Sequence, residues 1–209
     1  MSLIKNHRLT ETQDKILLYL LTNTEKKITI RGLAAVLKKS YTLVYNNVSQ
    51  LAKRNILSLE SIPPASIISI NKNIATEYLI RTELLLRNQF LNKNGWARLM
   101  TEDISKSQNP FFVLLLFGSY AKGSPTQNSD IDLLLITPRG SDQTCEIISL
   151  IKMTHTKTKK NIISVTAAEF EEMISSPNSF NVGNEARKHH LILYGSEQFY
   201  QLIRRVENE

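Results

Sequence analysis

The sequence predicts an α/β (α+β) chain in three parts: a basic N-terminal module over 1–73, a helical connector over 74–107, and an α/β body over 108–209. Three observations carry this. Residues 1–73 hold 11 Lys/Arg against 4 Asp/Glu, whereas residues 74–209 hold 15 of each, so the formal net charge of +7 sits in the first third of the chain. Apolar spacing changes near residue 56 from helical to alternating. Farther on, an apolar run ends in a Gly turn, and a second apolar run opens with two acids. Such charge asymmetry points to a basic module for a polyanion joined to a neutral body.

Composition removes other classes. The chain has 209 residues, and an apolar share of 42% is enough to bury a core. A lone Cys145 excludes an internal disulfide and a Cys-based metal site. The longest apolar run, Phe111 to Phe117, is far short of a membrane span, and residues 1–7 lack the apolar core of a secretory signal. A cytoplasmic protein with no membrane partner is expected.

Thr10-Glu11-Thr12-Gln13 reads as a capping box, followed by Ile16, Leu17, Leu20 and Leu21 at helical spacing, which predicts a helix over about 10–22. After the polar break at 23–27, Ile30 to Leu37 forms a short helix with Leu33, Val36 and Leu37 on one face. Ser40 caps a third helix that turns Val44, Val48 and Leu51 inward. Asn55 tolerates the left-handed turn that ends it. Residues 57–62 and 66–70 alternate around Pro63-Pro64-Ala65 and read as a hairpin.

Three helices and a hairpin in this order resemble a winged helix-turn-helix domain. That resemblance implies that helix three enters the major groove of double-stranded DNA and the hairpin lies against phosphates. On the exposed side of helix three stand Thr42, Tyr45, Asn46, Ser49 and Lys53, while Arg31, Lys38, Lys39, Lys53 and Arg54 can pair with phosphates. The same module could instead bind protein or make a homodimer, and the lack of Arg in mid-helix removes the commonest guanine contact.

The connector carries Ala75, Tyr78, Leu79, Leu85, Leu86 and Phe90 as a broad apolar helical face, then a second helix from Trp96 to about Lys106. Nothing in it suggests chemistry.

From Phe111 the chain reads as a strand ending at Gly118-Ser119, a short helical turn, and a strand opening with Asp130-Ile131-Asp132. Alternate strand residues share a face, so the two carboxylates stand side by side. Such a pair is costly without a cation, and Mg2+ or Mn2+ suits oxygen donors that also meet a nucleotide's phosphates. Gly118 permits close backbone approach, Ser119 adds a hydroxyl, and Lys122 is near enough in sequence to help hold phosphate.

Gly-Ser, a gap over 120–129, then Asp-Ile-Asp-Leu resembles the signature of the DNA polymerase beta-type nucleotidyltransferase superfamily. Gly-Ser-Tyr-Ala-Lys-Gly with Ser-Asp-Ile-Asp-Leu is similar to its minimal members. The resemblance implies a small mixed sheet over 108–209 and transfer of a nucleoside monophosphate from an NTP, ATP being the expected one, to a protein, tRNA or small-molecule hydroxyl. It implies Asp130 and Asp132 as catalytic metal ligands, with Gly118, Ser119, Lys122 and Ser129 toward the nucleotide. The family's third carboxylate comes from the next strand, which here reads Asn161-Ile162-Ile163-Ser164-Val165-Thr166 and holds no acid. Asn161 or Ser164 would occupy its place.

Glu169, Glu171 and Glu172 are expected on a following helix facing water, and Lys157, Lys159 and Lys160 on a solvated edge. His155 reads as structural, and His189-His190 as helical neighbours pointing apart. Tyr194-Gly195 and 197–206 read as a closing strand and helix. The two functions left open are an Mg2+-dependent nucleotidyltransferase and a DNA-binding regulator whose second domain senses nucleotide or dimerises.

Overall fold

The computed structural model describes residues 8–63, 65–107, 111–138 and 142–207, residues 142 and 143 by backbone alone. The chain divides into two units, Met1–Thr82 and Glu83–Glu209. The division falls inside one helix, α4 (Thr76–Lys93), later in the chain than the expected boundary at 73/74.

In the first unit, α1 (Glu11–Thr22) starts at the expected capping box: Thr10 Oγ1 accepts from Gln13 N, and Gln13 Oε1 accepts from Thr10 N. β1 (Ile28–Thr29) leads into α2 (Ile30–Leu37). Ser40 caps α3 (Tyr41–Lys53) through a bond from Leu43 N, and Asn55 holds φ 56 after it. β2 (Leu57–Ile62) and β3 (Ala65–Ile70) form the antiparallel hairpin, and β1 pairs with β3, giving sheet order β1-β3-β2. This is the winged helix-turn-helix arrangement.

Its core gathers Ile16, Leu17, Leu33, Val44, Val48, Leu51 and Ile68. At about 25 cal/mol per Å2, each such side chain contributes about 1.5–3 kcal/mol. Val36 departs from the expected inward face and is 52% exposed. The buried side chains of α2 are Leu33 and Ala34, with Leu37 half-buried, so its narrow contact stripe leaves Val36 outside. The sequence reading has no β1, because two residues are too few to show alternation.

The second unit holds the C-terminal part of α4, then α5 (Gly95–Ile104), β4 (Val113–Phe117), α6 (Gly118–Ala121), β5 (Ile131–Thr137), α7 (Asp142–Met153) and β6 (Lys160–Thr166). It closes with α8 (Ala167–Ser175), α9 (Val182–Lys188), β7 (Leu191–Tyr194) and α10 (Ser196–Glu207). The sheet order is β6-β5-β4-β7, with β5 and β6 parallel and the other pairs antiparallel, so the sheet is mixed as expected. The parallel pair needs a crossover, which α7 provides. Every residue of β4 is buried, which explains its unbroken apolar sequence: helices cover both faces. Met100, Ile104, Ile147 and Ile151 pack on the face carrying Leu114, Leu116, Leu133 and Leu135. α8, α9 and α10 lie on the other face, where Phe170 and Phe199 meet at 6.2 Å.

Among the described residues no helix is long and apolar enough to cross a membrane.

Candidate functional site

Asp130 and Asp132 lie at the mouth of β5, where sheet geometry brings four other residues to them. β4 ends in Phe117, which pairs with Asp132 across the antiparallel ladder. The next residue, Gly118, takes φ 68, a region costly for any residue with a Cβ. A Cβ at Gly118 would also collide with Asp132 Oδ2. Glycine here therefore does two things: it turns the chain from β4 into α6, and it leaves room for the carboxylate.

On the other side of β5 lies β6, parallel and in register, with Asp132 opposite Asn161. Asn161 Nδ2 donates to Asp132 Oδ1 at 3.2 Å. Of the two candidates for the third carboxylate's place, Asn161 is the one that reaches the acid pair. An amide can hold and orient a carboxylate, but it is a poor base and adds no charge. Asp130, 43% exposed, faces Lys159 Nζ at 3.7 Å. Lys159 is exposed beside the edge strand β6, as the sequence suggests, and it also sits beside the site. Its neighbour Lys160 departs from that expectation, donating to Thr154 O at 2.6 Å and Lys152 O at 3.4 Å at the end of α7. Burial lowers the pKa of Lys160.

Other nucleotide candidates divide. Ser119 is half-buried in the first turn of α6. Lys122 reaches Glu185 of α9 at 3.1 Å, both side chains remaining partly exposed. Ser129 lies on the approach to Asp130, but its Oγ accepts from Thr126 N at 2.8 Å and meets Thr126 Oγ1 at 3.1 Å, which ties it to its own loop. Among the described residues no group of three or more His, Cys, Asp or Glu could hold a metal. The acid pair stands without a third acid.

Residues 102–199 match the model of the nucleotidyltransferase domain family. Over those residues the second unit is similar to a nucleotidyltransferase domain. No curated protein matches the chain. Among solved structures, the adhesin competence repressor AdcR of Streptococcus pyogenes is 26% identical over 43% of this chain and 70% of its own, with a TM-score of 0.30. ZitR of Lactococcus lactis is 19% identical over 44% and 67%, with a TM-score of 0.32. The heme sensor protein PefR of Streptococcus agalactiae is 13% identical over 42% and 77%, with a TM-score of 0.30.

Elsewhere in the second unit, two acids of α8 have structural roles. Glu169 completes a capping box with Thr166, whose backbone N–H and hydroxyl hold its pKa below the usual carboxylate value. Glu171 pairs with Arg205 at 3.3 Å, and Glu172 is exposed. His155 is exposed. His189 and His190 do not share a helix, because α9 ends at Lys188. His190 turns inward: Nε2 donates to Glu83 Oε1 at 3.2 Å, while Nδ1 faces the carbonyls of Ala186 at 2.9 Å and Arg187 at 3.2 Å. Tyr200 donates to the same Glu83 oxygen at 2.8 Å. Both ring nitrogens of His190 face acceptors, so the imidazolium is the form that satisfies them. This trio could not be found from sequence, since 107 residues separate Glu83 from His190.

In the winged helix, Arg31, Lys38, Lys39, Thr42, Tyr45, Asn46 and Lys53 are all exposed, and Ser49 is half-buried. Arg54 differs, because its Nη2 donates to Tyr78 Oη at 2.8 Å and its guanidinium lies 5.4 Å from that ring. The exposed set spans α3 and the N-terminus of α2, with Arg31 in α2, Lys38 and Lys39 just before α3, Lys53 as its last residue and no charge between Tyr41 and Ala52.

Proposed function

We propose that the chain is an Mg2+- or Mn2+-dependent nucleotidyltransferase. It moves a nucleoside monophosphate from an NTP, with ATP as the expected donor, to a hydroxyl-type acceptor on protein, tRNA or a small molecule. Its winged helix binds duplex DNA. The observation that carries the reading is the pairing of Asp130 and Asp132 at one strand mouth against the Gly118 turn, within a nucleotidyltransferase domain.

The acid pair fits a hard divalent cation. Mg2+ is commonly held by one or two carboxylates plus substrate phosphates, without an all-protein cage, and two carboxylates are what this site offers. Asp130 and Asp132 would hold the ion, which when bound neutralises phosphate charge and polarises the reacting phosphorus. The chain's own residues do the rest. Gly118 leaves space at Asp132, and Asn161 fixes the orientation of that carboxylate. Lys122 and Lys159 add positive charge around the triphosphate. In the transfer, a bond forms from the acceptor oxygen to the α-phosphorus as the bond to pyrophosphate breaks. The acceptor's proton passes to solvent, because the Asn161 amide cannot take it.

Asn161 also favours a second reading, in which the domain binds Mg2+-nucleotide and regulates DNA binding without turnover. The two separate on one experiment. Full-length protein is incubated with each NTP, Mg2+ or Mn2+, and total cell protein and RNA, and pyrophosphate release is followed. Release that depends on acceptor and is lost in Asp130→Asn supports the transferase. Nucleotide binding without pyrophosphate leaves the regulator.

A further inference from the structure

The winged helix presents a recognition surface with a specific chemical bias. α3 spans 13 residues, about 20 Å at 1.5 Å per residue. Lys38 and Lys39 precede it and Lys53 ends it, all exposed, whereas Tyr41 to Ala52 contains no charged residue. A major groove about 12 Å wide is bordered by two phosphate rails, and a helix of that length with positive charge at both ends and a neutral middle is long enough to cross it and reach both rails.

The neutral middle has its own pattern. The rings of Tyr41 and Tyr45 stack at 6.0 Å and 25°, and both are about half exposed, at 50% and 47%. Together with Arg31 and the hairpin residues Ser61 and Ser66, they line a groove of 660 Å3. Thr42 and Asn46 stand exposed on the same helix. In a major groove, an Asn amide matches the N6 donor and N7 acceptor of adenine. Aromatic faces and a Thr methyl match the C5-methyl of thymine, and guanine is most often read by Arg or Lys.

Resting on the DNA-binding part of the proposed function, we infer that α3 reads A·T base pairs through the major groove: Asn46 contacts adenine N6 and N7, and Tyr41 and Tyr45 contact thymine methyls. The occupant of this face is duplex DNA, in keeping with the +7 formal charge carried by residues 1–73.

The test uses the full chain. Duplexes selected from a randomised pool are bound at several salt concentrations, then remade with 7-deazaadenine for adenine or deoxyuridine for thymine. The selected sites are expected to be A·T-rich. Loss of the adenine N7 should weaken wild type about fivefold or more, and Asn46→Ala should be indifferent to it. Loss of the thymine methyl should weaken wild type about threefold, and Tyr45→Ala should be indifferent to it. Lys39→Ala, as a comparator, should weaken every duplex alike and lower the salt slope by about one.

Salt-dependent binding that ignores both base modifications overturns the inference and leaves the DNA reading standing. That outcome assigns the tyrosine pair to protein contact. Failure to bind any duplex at low salt overturns the DNA reading itself, and the inference with it.

Discussion

Asn161 Nδ2 donates to Asp132 Oδ1 at 3.2 Å from the neighbouring parallel strand, in direct register with it. The bond places an uncharged amide where, on the proposed function, a third acid would complete the metal-binding set. Two consequences follow for the proposed transfer: the site carries less negative charge, and no carboxylate is available there to accept the acceptor's proton. Asn161→Asp is therefore expected to raise NTP transfer tenfold or more, general-base catalysis contributing about 10²–10⁴-fold. It should also destabilise the metal-free protein, because a third acid beside Asp132 adds like-charge repulsion. Transfer rates and urea melts with and without Mg2+ check both.

Removing the acids acts in the opposite direction. Asp130→Asn and Asp132→Asn are expected to abolish Mg2+-dependent NTP binding while leaving the fold intact, since both carboxylates stand partly exposed at a strand mouth. Calorimetric titration of NTP with and without Mg2+ measures this.

Gly118 couples backbone to carboxylate. Gly118→Ala places a Cβ against Asp132 Oδ2 at a φ of 68. The expected cost is about 1–3 kcal/mol in a denaturant melt, together with weaker Mg2+-NTP affinity.

The buried His190 gives a pH dependence. Burial alone depresses its pKa, but the charge and hydrogen bond of Glu83 and the carbonyls of Ala186 and Arg187 outweigh burial and raise it. An unfolded histidine titrates near 6.5, so the stabilisation is full below about that pH. It is lost as the pH rises through the raised folded value. The stability gap between wild type and His190→Gln should be wide at low pH and narrow on going alkaline, read from urea melts across the range. Tyr200, pushed well above its ordinary value by burial and by Glu83, stays neutral throughout.

Much of the fold was legible because local chemistry and tertiary structure agree. Thr10 with Gln13, Ser40 and Asn55 end or start helices by their own hydrogen-bonding and backbone preferences, and all three do so here. The strand, glycine turn and acid pair were legible for the same reason: β4 is buried on both faces, so its sequence is uninterrupted. What was hidden depends on partners distant in sequence. β1 exists through its pairing with β3, Ile28 opposite Ile68. Lys159 gains its place at the site from the register of β6 beside β5. His190 is defined by Glu83, which no spacing rule connects to it. The charged run at 157–160 reads as a solvated edge, and β6 is the sheet's edge with Lys157 and Lys159 exposed. Only the folded contacts show that Lys159 also faces the acid pair and that Lys160 binds backbone carbonyls.

The most direct test of the account follows the α-phosphate. Each NTP labelled at that position is incubated with Mg2+, the full-length protein and total cell protein and RNA, beside the Asp130→Asn/Asp132→Asn double variant. The account predicts label covalently retained on one acceptor class with wild type and none with the double variant. Label that binds but is never transferred, or transfer that survives the double substitution, would contradict it.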